Sequence, residues 1–255
     1  IGQTWESVSN AVLAQYPSSY RATNLSDYVL GGQGNDGLNG LAGDDVIGGL
    51  TGNDTLSGGA GSDTYKFSVG AGADNIYEES GTADVVLMGA GITAANIRFE
   101  KSGNHLNVYY GTSDKITLYN HLYDDATGGS SYDEVETLKF ADGSTINLKS
   151  GLTFTGTAAA DSVAGTTMAD TLAGVGGNDA LHGGAGSDTY KFSMGDGLDT
   201  IYEQSGAADT ILMGAGITAA NIRFERSGNE LWINYGTSDK ITLYNHLYDD
   251  ATGGS

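Results

Sequence analysis

From Gly31 to Lys66 the chain keeps a nine-residue register that a flexible linker has no reason to hold: GGQGNDGLN, GLAGDDVIG, GLTGNDTLS and GGAGSDTYK. The fourth position is Gly34, Gly43, Gly52 and Gly61, the sixth is Asp36, Asp45, Asp54 and Asp63, and the eighth is Leu38, Ile47, Leu56 and Tyr65. A weaker unit, ATNLSDYVL from Ala22, precedes them with Asp27 and Val29 in phase. Glycine tolerates positive φ and lets successive loops approach closely, while the triplet after each Asp is short and β-favouring. The register therefore reads turn, strand, turn, strand. The 41 glycines and the single proline, Pro17, would suit a low-complexity linker on composition alone; the fixed spacing makes them the signature of a repeat.

A longer period runs over the first. Residues 61–130 return at 186–255, an offset of 125, with 13 differences in 70 positions. The same offset carries Asp36, Asp45, Asp54 and Asp63 onto Asp161, Asp170, Asp179 and Asp188. The chain is a tandem duplication. Its second copy opens on GTAAADSVA and GTTMADTLA, where Ala159 and Met168 stand in place of the fourth-position glycine, before GVGGNDALH and GGAGSDTYK recover the pattern. Side chains at 159 and 168 stand where the loops Gly156–Asp161 and Gly165–Asp170 should turn tightly, so these two loops are poor ion sites. After each repeat block, GAGAD at Gly70 and GTAD at Gly81 repeat the turn-then-strand grammar at slightly longer spacing, which predicts that the solenoid continues.

The nonapeptides resemble the G-G-x-G-x-D-x-U-x repeat of RTX proteins, and the tail from DTYKF to FADGSTINL is similar, more loosely, to the haemolysin-type calcium-binding-related region that follows such repeats. The resemblance implies an all-β chain, a right-handed parallel β-roll (β-solenoid) in which two nonapeptides make one coil and similar loops stack 18 residues apart. It pairs Asp36 with Asp54 and Asp45 with Asp63, and it implies several Ca²⁺ ions held between paired loops by Asp carboxylates and carbonyls of the first four loop positions. The ligands so implied in the first copy are Gly32, Gly34, Asp36, Leu41, Gly43, Asp45, Gly49, Thr51, Asp54, Gly58, Ala60, Asp63 and Asp74. In the second copy they are Gly174, Gly176, Asp179, Gly183, Ala185, Asp188 and Asp199. Oxygen-only ligation of this kind suits Ca²⁺, whereas Zn²⁺ favours His or Cys.

The expected organisation is residues 1–21 as the end of a preceding repeat plus a helical cap or linker, 22–150 as one β-roll module, and 151–255 as a second, shortened at its C-terminal end. A short helix is expected over Trp5 to Gln15, with Thr4 as N-cap and Pro17 as stop. The chain opens at Ile1 without a basic leader and reads as a piece of an array.

Eleven Lys and Arg against 32 Asp and Glu leave −21, a charge that repels nucleic acid and anionic membranes and attracts cations. No apolar run approaches the ~20 residues of a membrane-spanning helix. The absence of cysteine excludes disulfides and thiolate metal sites. One apolar residue per nonapeptide is too little burial to offset the ordering of nine backbones, and without ions the stacked carboxylates repel. The resemblance then implies folding on extracellular calcium after export through a type I channel.

Catalytic patterns are missing: neither G-x-S-x-G, H-E-x-x-H nor G-x-x-x-x-G-K-[ST] occurs. Glu78 and Glu79 form no preserved pair, since Glu79 becomes Gln204. His105, His121, His182 and His246 lack metal-ligand spacing and are expected in surface polar roles. Tyr119, His121 and Tyr123 recur as Tyr244, His246 and Tyr248, a loop with the aromatic and acidic character to hold a sugar. The leading expectation is a non-enzymatic, calcium-binding structural module of a secreted or cell-surface protein of adhesin or surface-layer type, with neighbouring repeats as partners. Its alternatives are the export and folding region of a secreted hydrolase, and a glycan-binding module.

Overall fold

The computed structural model describes residues 22–78, 80, 81, 83–123, 134–203 and 208–247. The expected helix over Trp5 to Gln15 lies outside them. Among the described residues the chain is strands and turns, with two single 3₁₀ turns at Ala94–Asn96 and Ala219–Asn221. The described residues of Ile1–Ile97, Asn104–Asp124 and Gly129–Lys149 form one compact unit, and those of Arg98–Gly103, Asp125–Gly128 and Ser150–Ser255 the other.

In the first unit, Tyr28–Leu30, Val46–Gly48, Thr64–Phe67, Val85–Met88 and Thr137–Lys139 stack in parallel as one wall. The opposite wall is Gly37–Ala42, Thr55–Gly61, Ala73–Tyr77 and Asp114–Leu118, also parallel. Inside the nonapeptides the register is 18 residues, as Val29↔Ile47 and Leu38↔Leu56 show. It then lengthens to Leu56↔Ile76 and Tyr65↔Val86, so the solenoid runs on through the looser repeats as the sequence predicts.

The second unit repeats the plan. Thr153–Thr155, Thr171–Ala173, Thr189–Phe192 and Thr210–Met213 form one wall. Ser162–Ala164, Ala180–His182, Leu198–Ile201 and Asp239–Leu243 form the other.

The parallel pattern does not hold to the end. Asp114–Leu118 pairs antiparallel with His105–Tyr110, and Thr137–Lys139 with Thr145–Asn147. In the second copy Asp239–Leu243 pairs antiparallel with Glu230–Tyr235, and that strand with Ile222–Ser227. Gly103, Gly111, Gly228 and Gly236, all at positive φ, supply the tight reversals that hairpins need and a crossover does not.

The eighth-position residues make the core. Ile47, Leu56, Tyr65, Leu172, Leu181 and Tyr190 are all buried, because alternation along a three-residue strand turns its middle side chain inward. Leu38, in the first full nonapeptide, is only half-buried. Leu56→Ala should therefore lower stability by about 2–5 kcal/mol in saturating calcium, and Leu38→Ala by clearly less. Denaturant titration of the two variants provides the comparison, and equal losses would contradict the packing described.

Candidate metal centres

The sixth-position carboxylates are fixed by the backbone of the neighbouring coil. Asp27, Asp36 and Asp45 donate their N–H to Oδ1 of Asp45, Asp54 and Asp63 at 2.7, 2.8 and 2.7 Å. The ladder continues from Asp54 to Asp74 and from Asp63 to Asp84, at 2.9 and 2.6 Å. In the second unit Asp161, Asp170, Asp179 and Asp188 donate to Asp179, Asp188, Asp199 and Asp209. Each carboxylate thus has one oxygen held by the coil before it, and its other oxygen, Oδ2, faces its own loop.

What Oδ2 meets divides the loops into two kinds. In the loops of Asp27, Asp161 and Asp170 the second position is Thr23, Thr157 or Thr166, whose N–H and hydroxyl both donate to Oδ2. Gly32 N–H does the same for Asp36 at 2.7 Å. In the loops of Asp45, Asp54, Asp63, Asp179 and Asp188 the second position is Leu41, Leu50, Gly59, Val175 or Gly184, and all five stand at positive φ. A left-handed residue there turns its amide away from the carboxylate, and for Leu or Val it costs about 1–2 kcal/mol. In these loops Oδ2 is buried with no hydrogen-bond partner, as it is in Asp74, Asp84 and Asp199. The first-position glycine lies directly beneath it: a Cβ on Gly49, Gly58, Gly174 or Gly183 would collide with Oδ2 of Asp54, Asp63, Asp179 or Asp188.

A buried carboxylate oxygen without a donor is costly unless a cation takes that place. Here such oxygens recur along the stack, from Asp45 to Asp84 and from Asp179 to Asp199. Burial is the main force raising the pKa of Asp45, Asp54, Asp63, Asp179 and Asp188; the amide donor of the preceding coil partly offsets it, and neighbouring carboxylates add to it. The same burial pushes Asp74, Asp84 and Asp199 up to about 6. The donor set is all oxygen and anionic, which fits Ca²⁺.

Most of the sequence-predicted ligands are gathered in this column. Asp36, Asp45, Asp54, Asp63, Asp74, Asp179, Asp188 and Asp199 all belong to the ladder. Gly34, Gly43 and Gly52 turn at positive φ as expected, and Gly176 and Ala185 donate their N–H to carbonyls of the preceding coil. Three of the expected backbone carbonyls accept N–H bonds within the stack: that of Gly32 from Thr51 at 3.4 Å, and those of Thr51 and Ala60 from Gly34 and Gly43 at 2.7 Å. In the loops at Asp161 and Asp170, expected to be poor ion sites on account of Ala159 and Met168, the threonines two positions earlier also occupy Oδ2. Asp84, Asp209 and Glu78 lie off the nonapeptide register, which is why their place beside the column was not readable.

The aromatic loops look different from the expectation. Tyr119 stacks on Tyr77 with ring centroids 4.2 Å apart and lies 4.4 Å from His105, while Tyr244 lies 5.1 Å from Tyr202. These contacts are rungs between neighbouring strands. Tyr123 is exposed, and Tyr248 lies outside the described residues. His121, expected at the surface, is instead buried, with Nε2 3.3 Å from the Leu148 carbonyl, and burial lowers its pKa to about 4. Its counterpart His246 is exposed.

Two outcomes follow from this geometry. Thr166→Val should cost about 0.5–1.5 kcal/mol at every calcium concentration that folds the chain, without changing the ion count by calorimetry, because Thr166 completes Asp170 without metal. The pH response should reverse with calcium. In EDTA, Asp74, Asp84 and Asp199 hold protons up to about pH 6 when folded, but only to about 3.9 when unfolded. Their contribution to stability is then full below the unfolded value and lost as pH rises through 6. In calcium, protons compete with the ion, so the calcium midpoint should rise as pH falls below 6. Circular dichroism between pH 4 and 7 would show both trends, and a flat response in either series would contradict the assignment.

The comparisons with known proteins agree with the column. The family model of the RTX calcium-binding nonapeptide repeat matches residues 22–56, 30–65 and 155–190, and that of the haemolysin-type calcium binding protein related domain matches residues 109–150. No curated protein matches the chain. Among solved structures, the extracellular lipase LipA from Serratia marcescens is similar at 16% identity and a TM-score of 0.27, over 87% of this chain and 36% of that one; the chain thus spans little more than a third of that protein. The chain therefore carries RTX calcium-binding nonapeptide repeats in both copies and, after those of the first, a haemolysin-type calcium binding protein related domain.

Proposed function

We propose that the chain is a calcium-folded structural module of a secreted or cell-surface protein, with residues 22–150 and 151–255 as tandem copies and 1–21 as a link from a preceding one. The observation that carries the reading is the run of buried, unpartnered Oδ2 atoms at Asp45, Asp54, Asp63, Asp74, Asp84, Asp179, Asp188 and Asp199. Cytosolic calcium is too low to fill such sites, while extracellular modules bind at about 10⁻⁴–10⁻³ M, so the module would stay open inside the cell and close outside it. RTX repeats are structural ion-binding elements, and the role proposed is mechanical: a stiffened, repeated spacer of the adhesin or surface-layer kind, whose partners are calcium and neighbouring repeats. The tandem duplication supports a spacer. The contacts of Tyr119 and Tyr244 within their own stacks give a glycan site no support.

Circular dichroism in EDTA and then in millimolar Ca²⁺ should show coil turning to β-sheet, with Mg²⁺ a poor substitute because it demands tight octahedral geometry. A fully β spectrum in EDTA at pH 7 would refute the reading. Among single residues, Asp54→Ala should raise the calcium midpoint more than Asp27→Ala. Asp54 faces a coil on each side through Asp36 and Asp74, whereas Asp27 is already satisfied by Thr23. Each lost site forfeits about 2.7 kcal/mol when calcium is a hundredfold above Kd, and equal midpoints would exclude ions shared along the stack.

A further inference from the structure

One cluster beside the ladder is of a different make. Asp63, Glu78 and Asp84 each offer a carboxylate oxygen within 4.8 Å of the other two. All three are buried, at 0, 7 and 0% exposure. Each is fixed by a hydrogen bond: Asp63 Oδ1 accepts the Asp45 N–H at 2.7 Å, Asp84 Oδ1 accepts the Asp63 N–H at 2.6 Å, and Glu78 Oε1 accepts the Tyr65 hydroxyl. Tyr65 is itself fixed by the Gly58 N–H, 2.6 Å from its hydroxyl oxygen. Asp63 Oδ2 and Asp84 Oδ2 point inward with no hydrogen-bond donor. Gly58 and Gly81 close the wall around them, since a Cβ at either position would collide with these oxygens.

We propose that Glu78 adds a third carboxylate to the Asp63–Asp84 step of the ladder and makes it the tightest calcium site in the chain. The proposal rests on the calcium reading of the repeats and adds a ligand that the repeat does not encode, because Glu78 belongs to no nonapeptide. A shared loop site brings two Asp side chains, and this one brings three acidic groups on a rigid frame. Affinity for Ca²⁺ grows with ligand charge and with rigidity. The frame is tied down from outside as well: Asp84 N–H donates to Glu136 at 2.6 Å, and Thr137–Lys139 covers Val85–Met88.

The second copy supplies an internal control. Asp188, Glu203 and Asp209 are the counterparts, and Tyr190 reaches Glu203 as Tyr65 reaches Glu78. Glu203 and Asp209 are exposed, whereas Glu78 and Asp84 are buried. The copy-two cluster therefore binds more weakly.

The test is a titration of the full chain with Tb³⁺, whose emission is sensitised by a tyrosine at the ion, alongside calorimetry with Ca²⁺. Glu78→Gln keeps the acceptor for Tyr65 and removes one charge. It should weaken the tightest step by roughly tenfold or more, an effect of lost ligand charge, and dim the emission of that step. The later steps and the calcium-induced β-sheet signal should survive. Glu203→Gln should leave the tightest step intact. Glu78→Asp, which retains the charge and withdraws the carboxylate by one methylene, should fall between wild type and Glu78→Gln, and it keeps the test readable should the Gln variant fold poorly. A tightest step unchanged in both Glu78 variants would overturn the proposal while leaving the loop sites standing. No calcium-dependent folding of the unaltered chain would instead remove the reading beneath it.

Discussion

A column of like charges, placed one above another by the backbone itself, is the constraint on which the rest depends. The N–H of one sixth-position Asp holds the carboxylate of the next coil, so the carboxylates cannot splay apart as the coils stack. Stacking is nevertheless what buries Ile47, Leu56 and Tyr65. The apolar interior and the ionic edge are therefore formed or lost together. Each coil contributes too little apolar surface to hold itself closed against chain entropy, and each has a carboxylate oxygen that repels its neighbours until a cation or a hydroxyl occupies the space before it.

The two kinds of loop show how local that choice is. A threonine at the second position satisfies the carboxylate by intramolecular hydrogen bonds; a left-handed Leu, Val or Gly leaves it for an ion. Leu41 and Val175 make the point sharply, since both are largely exposed and hold a conformation that L-residues avoid. Their side chains gain little by burial, so the strain is sustained by what the open loop binds.

Much of this was legible in the residues. The nonapeptide register carries the turn-strand rhythm, and the family resemblance implies the 18-residue pairing of Asp36 with Asp54 and of Asp45 with Asp63 that the ladder follows. The threonine caps are not legible in the repeat pattern, because its second position carries Thr, Gly, Leu or Val alike and only the backbone conformation there decides whether the donor reaches Oδ2. The hairpins around His105–Tyr110 and Glu230–Tyr235 were missed for a related reason, as strands of six residues with alternating character read the same in parallel and antiparallel sheets. Glu78 and Asp84 approach Asp63 only across coils of unequal length. The burial of His121 depends on the Leu148 carbonyl, 27 residues away.

The ladder also has a direction. Every amide along it belongs to the earlier coil and every carboxylate to the later one, from Asp27 and Asp45 at one end to Asp63 and Asp84 at the other. Its two ends are therefore chemically unlike: a coil laid against the earlier end must bring an amide, and one laid against the later end must bring an acceptor, as Glu136 does for the Asp84 N–H. Two such stacks can continue one another only with a later end against an earlier one.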